Sequence, residues 1–348
     1  MNTIDVDITF ARDYFTQAFG LVYDSVYFSD IAMRSEMDRK AKRALYSRFG
    51  DVGLGEQDPA PQVQLGFDDT LNITLMFGGK LRTSAGVTWV EPGFYHRSEI
   101  DSLEPPDVAT TWPQTLFLEQ YQRAVRMFGR TRVRPPRPHG VLEIALDMFG
   151  DGFLEDFLLE SERADRALDV LADTVARFKE FWDLTCYGAV QPNLSLGGCS
   201  TTMLSRETLE RFLVPRYRLI AGRFKQAFIC ACGKSTQHLE SFAAIGDAPY
   251  VRIGWGTDLE RAAAVLTGKH VKASLDVVRA TEQSAGGIVR DVEYILHTLE
   301  RVRAVSVLLI HAGAQTPDEN VRAIVRTVMR FANDNGVELR DTGSCRFR

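Results

Sequence analysis

The chain has little cysteine, no long apolar run and no excess of basic residues, and each shortage removes a class of protein. Five cysteines in 348 residues, an odd number at irregular spacing, do not make the framework of a disulfide-stapled secreted domain and suit a reducing cytoplasm. No stretch of eighteen apolar residues occurs, so neither a membrane span nor a membrane partner is expected. The first residues, Met1-Asn2-Thr3-Ile4-Asp5-Val6-Asp7, are acidic and lack the apolar core of a secretory signal, so a cytoplasmic protein is expected. Lys and Arg number 41 against 46 Asp and Glu, a formal net charge of −5. The basic residues are scattered, and nucleic acid is not an expected partner without a basic face. What is present is ordinary for a globular protein with a sizeable core: 45% hydrophobic and 25% charged residues.

A chain of 348 residues could hold two average domains or one α/β barrel. In its first part, residues 10 to 50 read as helix, with Met33, Met37, Ala41, Ala44 and Leu45 at helical spacing among Arg34, Arg39, Lys40, Lys42 and Arg43. The basic cluster reads as a solvated face. Gly50 to Pro61 reads as a loop, and Asn72 to Phe77 as a strand that turns at Gly78-Gly79 to pair with Val87 to Val90. Pro105-Pro106 and the Arg/Pro stretch Arg130 to Pro138 bracket a helix near Trp112 to Phe128.

Beyond Pro138 the pattern becomes regular. Val141 to Met148 is a short apolar stretch, Phe153 to Trp182 reads as one or two helices, and Asn193 to Leu196 as a strand ending at Gly197-Gly198-Cys199. Ser205 is placed to cap a following helix. Strand and helix then alternate four times: Ala227 to Ala231 with Gln237 to Ala244, Tyr250 to Gly254 with Leu259 to Leu266, Val271 to Leu275 with Val289 to Val302, and Ser306 to Ile310 with Glu319 to Phe331. Short buried strands alternating with amphipathic helices imply parallel βα units, in either a doubly wound sheet or an eight-stranded barrel. Both place function at the C-terminal strand ends. Those ends gather Cys199, the Cys230-Ala231-Cys232-Gly233 turn, Trp255, Asp276 and His311. A Cys-x-Cys pair points both side chains to one face, where the sulfurs either chelate a metal or pack the interior.

The order of motifs resembles the uroporphyrinogen decarboxylase superfamily, and within it the zinc-dependent corrinoid methyltransferases that act on coenzyme M and related thiols or methyl ethers. The similar stretches are Leu204 to Glu207 leading to Phe212 to Tyr217, then Cys230 to Gly233, Ala273 to Asp276, and Ile310 to Gly313 followed by Thr316 to Val321. The resemblance covers roughly residues 139 to 335. It implies one domain over 1–348, a single (β/α)8 TIM barrel with a mostly helical N-terminal extension over 1–65. Family methyltransferases carry His-x-Cys-Gly at one strand end and a later Cys in a Gly-Cys-Gly turn. Here Cys230 stands in the place of the His, and His311 lies one residue before the later ligand position. The implied zinc set is Cys230, Cys232 and His311, with Cys199 in reserve. Three such ligands leave the fourth position of the ion open. Asp276 matches a family aspartate near the substrate, with Glu143, Tyr217 and Trp255 as weaker candidates for the catalytic site.

The expected reaction is methyl transfer between a small methylated substrate or thiol and a corrinoid such as methylcobalamin. The chain has no Asp-x-His-x-x-Gly sequence, so the corrinoid would belong to a separate protein partner. A homo-oligomer is compatible with the sequence. Two alternatives stand beside this reading. One is a tetrapyrrole decarboxylase, for which Arg34 and Arg39 would have to replace a missing Arg-Gln-Ala-Gly-Arg type segment. The other is a barrel without catalysis, acting as a binding subunit.

Overall fold

The computed structural model describes residues 1–67, 71–84, 87–224, 226–246, 250–340 and 346–347. The strands that frame the fold are, in chain order, β1 Thr3–Phe10, β2 Val63–Gln64, β3 Val133–Arg134, β4 Asn193–Gly197, β5 Gln226–Cys230, β6 Tyr250–Ile253, β7 His270–Leu275 and β8 Ala304–Ala312. Six of them form one parallel sheet, joined by a short β9, Glu338–Leu339, in the order β9-β1-β8-β7-β6-β5-β4. Arg346–Phe347 pairs beside the far end of β1. The first strand thus lies against the last long one, the pairing that curls such a sheet toward closure. β2 and β3 pair parallel with each other in a separate two-stranded piece, and no closed ring of eight strands forms among the described residues. The expected single barrel is therefore realised as a seven-stranded parallel sheet in a barrel-like α/β arrangement.

The N-terminal segment, expected to be a mostly helical extension, also carries a strand of the main sheet. β1 is a central strand, in register with β8 from Thr3 opposite Ala304 to Ile8 opposite Leu309. Ile4, Val6, Ile8 and Phe10 are buried on one side of it, and Thr3, Asp7 and Thr9 are buried on the other. A strand covered on both faces is normal in a parallel sheet, but two aspartates in alternate positions disguise it as an acidic leader. Three helices follow within the stretch expected to be helical: α1 Arg12–Phe19, α2 Ser25–Ser29 and α3 Ile31–Phe49. Asp24 and Asp30 cap the second and third, each accepting two backbone N–H groups.

The expected strand at Asn72 to Phe77 is instead a helical turn running into a 3-10 turn. The hairpin exists, but its first arm is Leu81–Ser84, paired with Val87–Val90. Asn72 explains the change. Its Oδ1 accepts the Phe67 N–H and its Nδ2 donates to Arg137 O, and such side-chain bonds to the backbone compete with an extended ladder.

Around the sheet pack α4 Gln114–Phe128, α5 Val141–Phe149, α6 Phe153–Leu159, α7 Ser161–Tyr187, α8 Val214–Arg223, α9 Leu259–Val265, α10 Ala285–Thr298 and α11 Asp318–Asn335. The short apolar stretch from Val141 is helix, and almost every residue of α5 is buried. A π-helical turn, Leu209–Leu213, precedes α8. Pro215, which has no N–H to donate, follows it in the first turn of α8. No helix among the described residues is long and apolar enough to cross a membrane.

Candidate metal centre

The site is built where β4 and β5 end. Gly197 lies opposite Cys230 in the ladder and Cys230 opposite Arg252, so the loops after β4 and β5 start side by side. Gly198 N donates to Cys230 O at 2.8 Å, and Ala231 N donates to Arg252 O at 3.1 Å. The first bond fixes the two cysteine-bearing turns to each other, and the second fixes the Cys230 turn to β6. Close approach requires glycine here. A Cβ on Gly254 would collide with Cys232 O, and one on Gly197 would lie 2.7 Å from Gly140 N.

Two residues expected at the catalytic site hold the Cys199 loop. The buried Tyr217 hydroxyl on α8 donates to Gly197 O at 3.0 Å. Burial, followed by the negative charge of Glu143, Cys199 and Cys230, pushes its ionisation well above the ordinary phenol range. Tyr217 is a neutral strut. From α5, Glu143 Oε1 accepts the Ser200 N–H at 2.8 Å. Its other oxygen, Oε2, is buried without a hydrogen-bond partner among the described residues, in a side chain that is 8% exposed. Thr202 Oγ1 donates to Cys199 O at 2.9 Å and completes the loop.

The outcome is a cluster of three sulfurs. The Sγ atoms of Cys199, Cys230 and Cys232 lie within 4.8 Å of one another, and none of them is in a disulfide. Cys230 is buried, Cys199 half-buried and Cys232 exposed, so the cluster has a closed side and an open one. Hydrogen bonding to Cys230 and then Cys232, with burial behind them, pushes the Cys199 thiol up. For Cys230, the bond from Cys199 favours the thiolate, Cys232 and burial oppose it, and the result is upward. Three thiols this close cannot all ionise unless a cation joins them.

His311 does not join the group. It lies on β8, three strands from β5 in the sheet, whereas Cys199 follows the neighbouring strand. The β1–β8 register slips between Ile8 and Phe10, which face Leu309 and Ala312. This bulge falls at Ile310–His311 and gives His311 a left-handed φ of 62°. A bulge re-aims side chains at a strand end, and His311 is left exposed. The sulfur cluster thus takes in the expected Cys230 and Cys232 together with the reserve Cys199, and leaves out His311.

The remaining candidates have structural tasks. Asp276 caps the helix Val277–Glu282, accepting Val278 N at 2.7 Å. The Arg279 guanidinium lies 4.6 Å over the Trp255 ring and pairs with Asp291 at 3.0 Å, which makes that ring part of a packed surface stack. Two neighbours of the site were not among the candidates drawn from the sequence. Arg252 donates from Nη1 to Cys230 Sγ at 3.3 Å. Its signal was an arginine inside the apolar run Tyr250-Val251-Arg252-Ile253. His139 sits beside Gly197, just before the start of α5.

Fold and site together define a barrel-like α/β chain with a three-thiol cluster on its C-terminal rim. No family model matches the sequence, and no curated protein matches it. Among solved structures, a methyltransferase from Methanosarcina mazei is similar over 91% of this chain and 90% of its own, with 15% sequence identity and a TM-score of 0.65. At that identity the likeness is one of fold, and a fold alone does not assign a reaction.

Proposed function

We propose that the protein is a methyltransferase whose zinc ion is held by Cys199, Cys230 and Cys232, and that it moves a methyl group between a small thiol or methylated substrate and a corrinoid on a separate protein. The observation that carries this reading is the three-sulfur cluster on the rim. The donor set suits zinc, whose bonds to sulfur of about 2.3 Å place tetrahedral ligands roughly 3.8 Å apart, a spacing the cluster accommodates. The methyltransferase name of the similar structure agrees with it.

Zinc supplies a Lewis acid that keeps a substrate sulfur as thiolate near neutral pH, or improves an ether oxygen as a leaving group. The chain's part is positioning. Tyr217 and Glu143 hold the Cys199 loop, and Gly198 and Gly254 let the Cys230–Cys232 turn lie against it. The exposed side at Cys232 leaves room for substrate.

The decarboxylase alternative has lost its basic groups. Arg34 is buried and donates to the carbonyls of Tyr27, Phe28, Gln64 and Gly66. Arg39 is spent on Pro59 O and Glu36. Neither is available to hold a polycarboxylate.

The test is elemental analysis of protein purified without chelator, joined to an assay of methylcobalamin absorbance with small thiols. Near one zinc per chain is expected, since a three-ligand site retains its ion. Cys232→Ser should lose most of the zinc and the methyl transfer together. Wild-type protein without metal, or full activity in that variant, refutes the reading.

A further inference from the structure

Arg252 is 5% exposed, yet among the described residues no Asp or Glu forms an ion pair with it. Buried charges are ordinarily paired, because an isolated guanidinium taken out of water is strongly unfavourable. Its bonds go to Cys230 Sγ at 3.3 Å and to Ser274 Oγ, where Nε donates at 3.1 Å. Cys230 faces Arg252 across the β5–β6 ladder, so both side chains lie on one face of the sheet. Burial opposes the Arg252 charge, and Cys230, Cys232 and Cys199 in turn favour it.

The charges of the two possible ligand sets differ. A divalent zinc with two thiolates and one imidazole is neutral. With three thiolates it carries one net negative charge, in a site whose inner ligand is buried. We propose that Arg252 is the counter-charge of a three-thiolate metal centre: its guanidinium offsets the extra negative charge and its N–H holds the Cys230 sulfur in place. Arg252 is then a positioning residue that lets this chain use cysteine three times where an uncharged ligand would otherwise balance the ion. The inference rests on the metal reading above.

Cobalt(II) in place of zinc tests it without any assay of activity, because the sulfur-to-cobalt charge-transfer absorbance grows with the number of bound thiolates. Wild-type protein is expected to show three. R252Q should show about two-thirds of that absorbance, with cobalt affinity about 10- to 100-fold weaker, the usual effect of losing a group that supports a ligand. R252K keeps the charge and should keep the third sulfur. C230H/R252Q, with a neutral imidazole in place of the buried thiolate, should bind cobalt more tightly than R252Q and remains informative if R252Q alone does not fold. Circular dichroism of the metal-free proteins separates folding from binding.

Full absorbance and unchanged affinity in R252Q overturn the proposal, as does a C230H/R252Q protein that binds no better than R252Q. An R252Q protein with an intact cobalt spectrum and only a raised KM would reassign the guanidinium to an anionic group of the substrate. Wild-type protein that takes up no cobalt or zinc removes the metal reading itself. A wild type with three thiolates and an indifferent R252Q removes only the role given to Arg252.

Discussion

At the scale of single residues, the site is decided by which strand ends are neighbours. Cys199 reaches the cluster because β4 adjoins β5, and His311 does not because β8 is three strands away and bulged. His311→Ala is therefore expected to leave zinc content unchanged, whereas Cys199→Ser lowers it. The reverse pattern by elemental analysis would show that the side chains rearrange when metal binds. The rim residues themselves were legible in the sequence, since Cys199, Cys230 and Cys232 all lie at or just beyond the ends of recognisable strands. The choice among them was not, because strand order and a bulge are properties of the assembled sheet. Asp147 offers a separate test. Burial raises its pKa from 3.8 to about 6, opposed by the Thr74 hydroxyl and His139 and assisted by Glu143. A carboxyl whose folded pKa lies above its unfolded value stabilises the fold at low pH, and that contribution is lost as pH rises from about 4 through about 6. A gap of about two pH units amounts to roughly 3 kcal/mol at most. Asp147→Asn should therefore be more stable than wild type at pH 8, with the advantage vanishing near pH 4, as read by urea unfolding across that range.

At the scale of elements, helices support the site by holding the Cys199 loop rather than by adding a sulfur to the cluster. Tyr217 is delivered by α8, which follows the π-helical turn Leu209–Leu213. Such turns are frequent at functional sites, and here one precedes the helix that holds Gly197 O. Removing the hydroxyl in Tyr217→Phe leaves a buried carbonyl without its donor, at about 1–3 kcal/mol. A lower melting temperature is expected together with weaker metal retention, since the Cys199 loop loses one of its two helix-borne supports. A variant as stable as wild type that releases zinc no faster would show that the bond contributes nothing. Helices and strands of the second half were readable because their apolar periods are clean. The hairpin was misplaced because the bonding of Asn72 to Phe67 and Arg137 is a tertiary arrangement that no local pattern announces.

At the scale of the whole molecule, the chain is fastened first part to last. β1 lies between β8 and β9, and ion pairs join the same two regions on the outside. Arg48 on α3 meets Asp318 at the start of α11 at 2.6 Å, and Asp51 accepts from Arg322 and Arg326 of α11 at 3.2 and 2.8 Å. Exposed pairs of this kind contribute little one at a time, so β1 itself carries most of the fastening. Ile4, Val6, Ile8 and Phe10 are all buried, and each full burial of a large apolar side chain is worth about 1.5–3 kcal/mol. Together they rival the whole stability of a typical domain, about 5–15 kcal/mol. Removing residues 1–10 would also expose the inner edge of β8, a row of unpaired backbone groups prone to pairing with other chains. Deletion of residues 1–65 is therefore expected to yield aggregated or unfolded protein, and not a working core that has shed a dispensable extension. Deletion of 1–10 alone should do nearly the same. Soluble, cooperatively melting protein from either deletion would mean that the sheet is complete without its first strand.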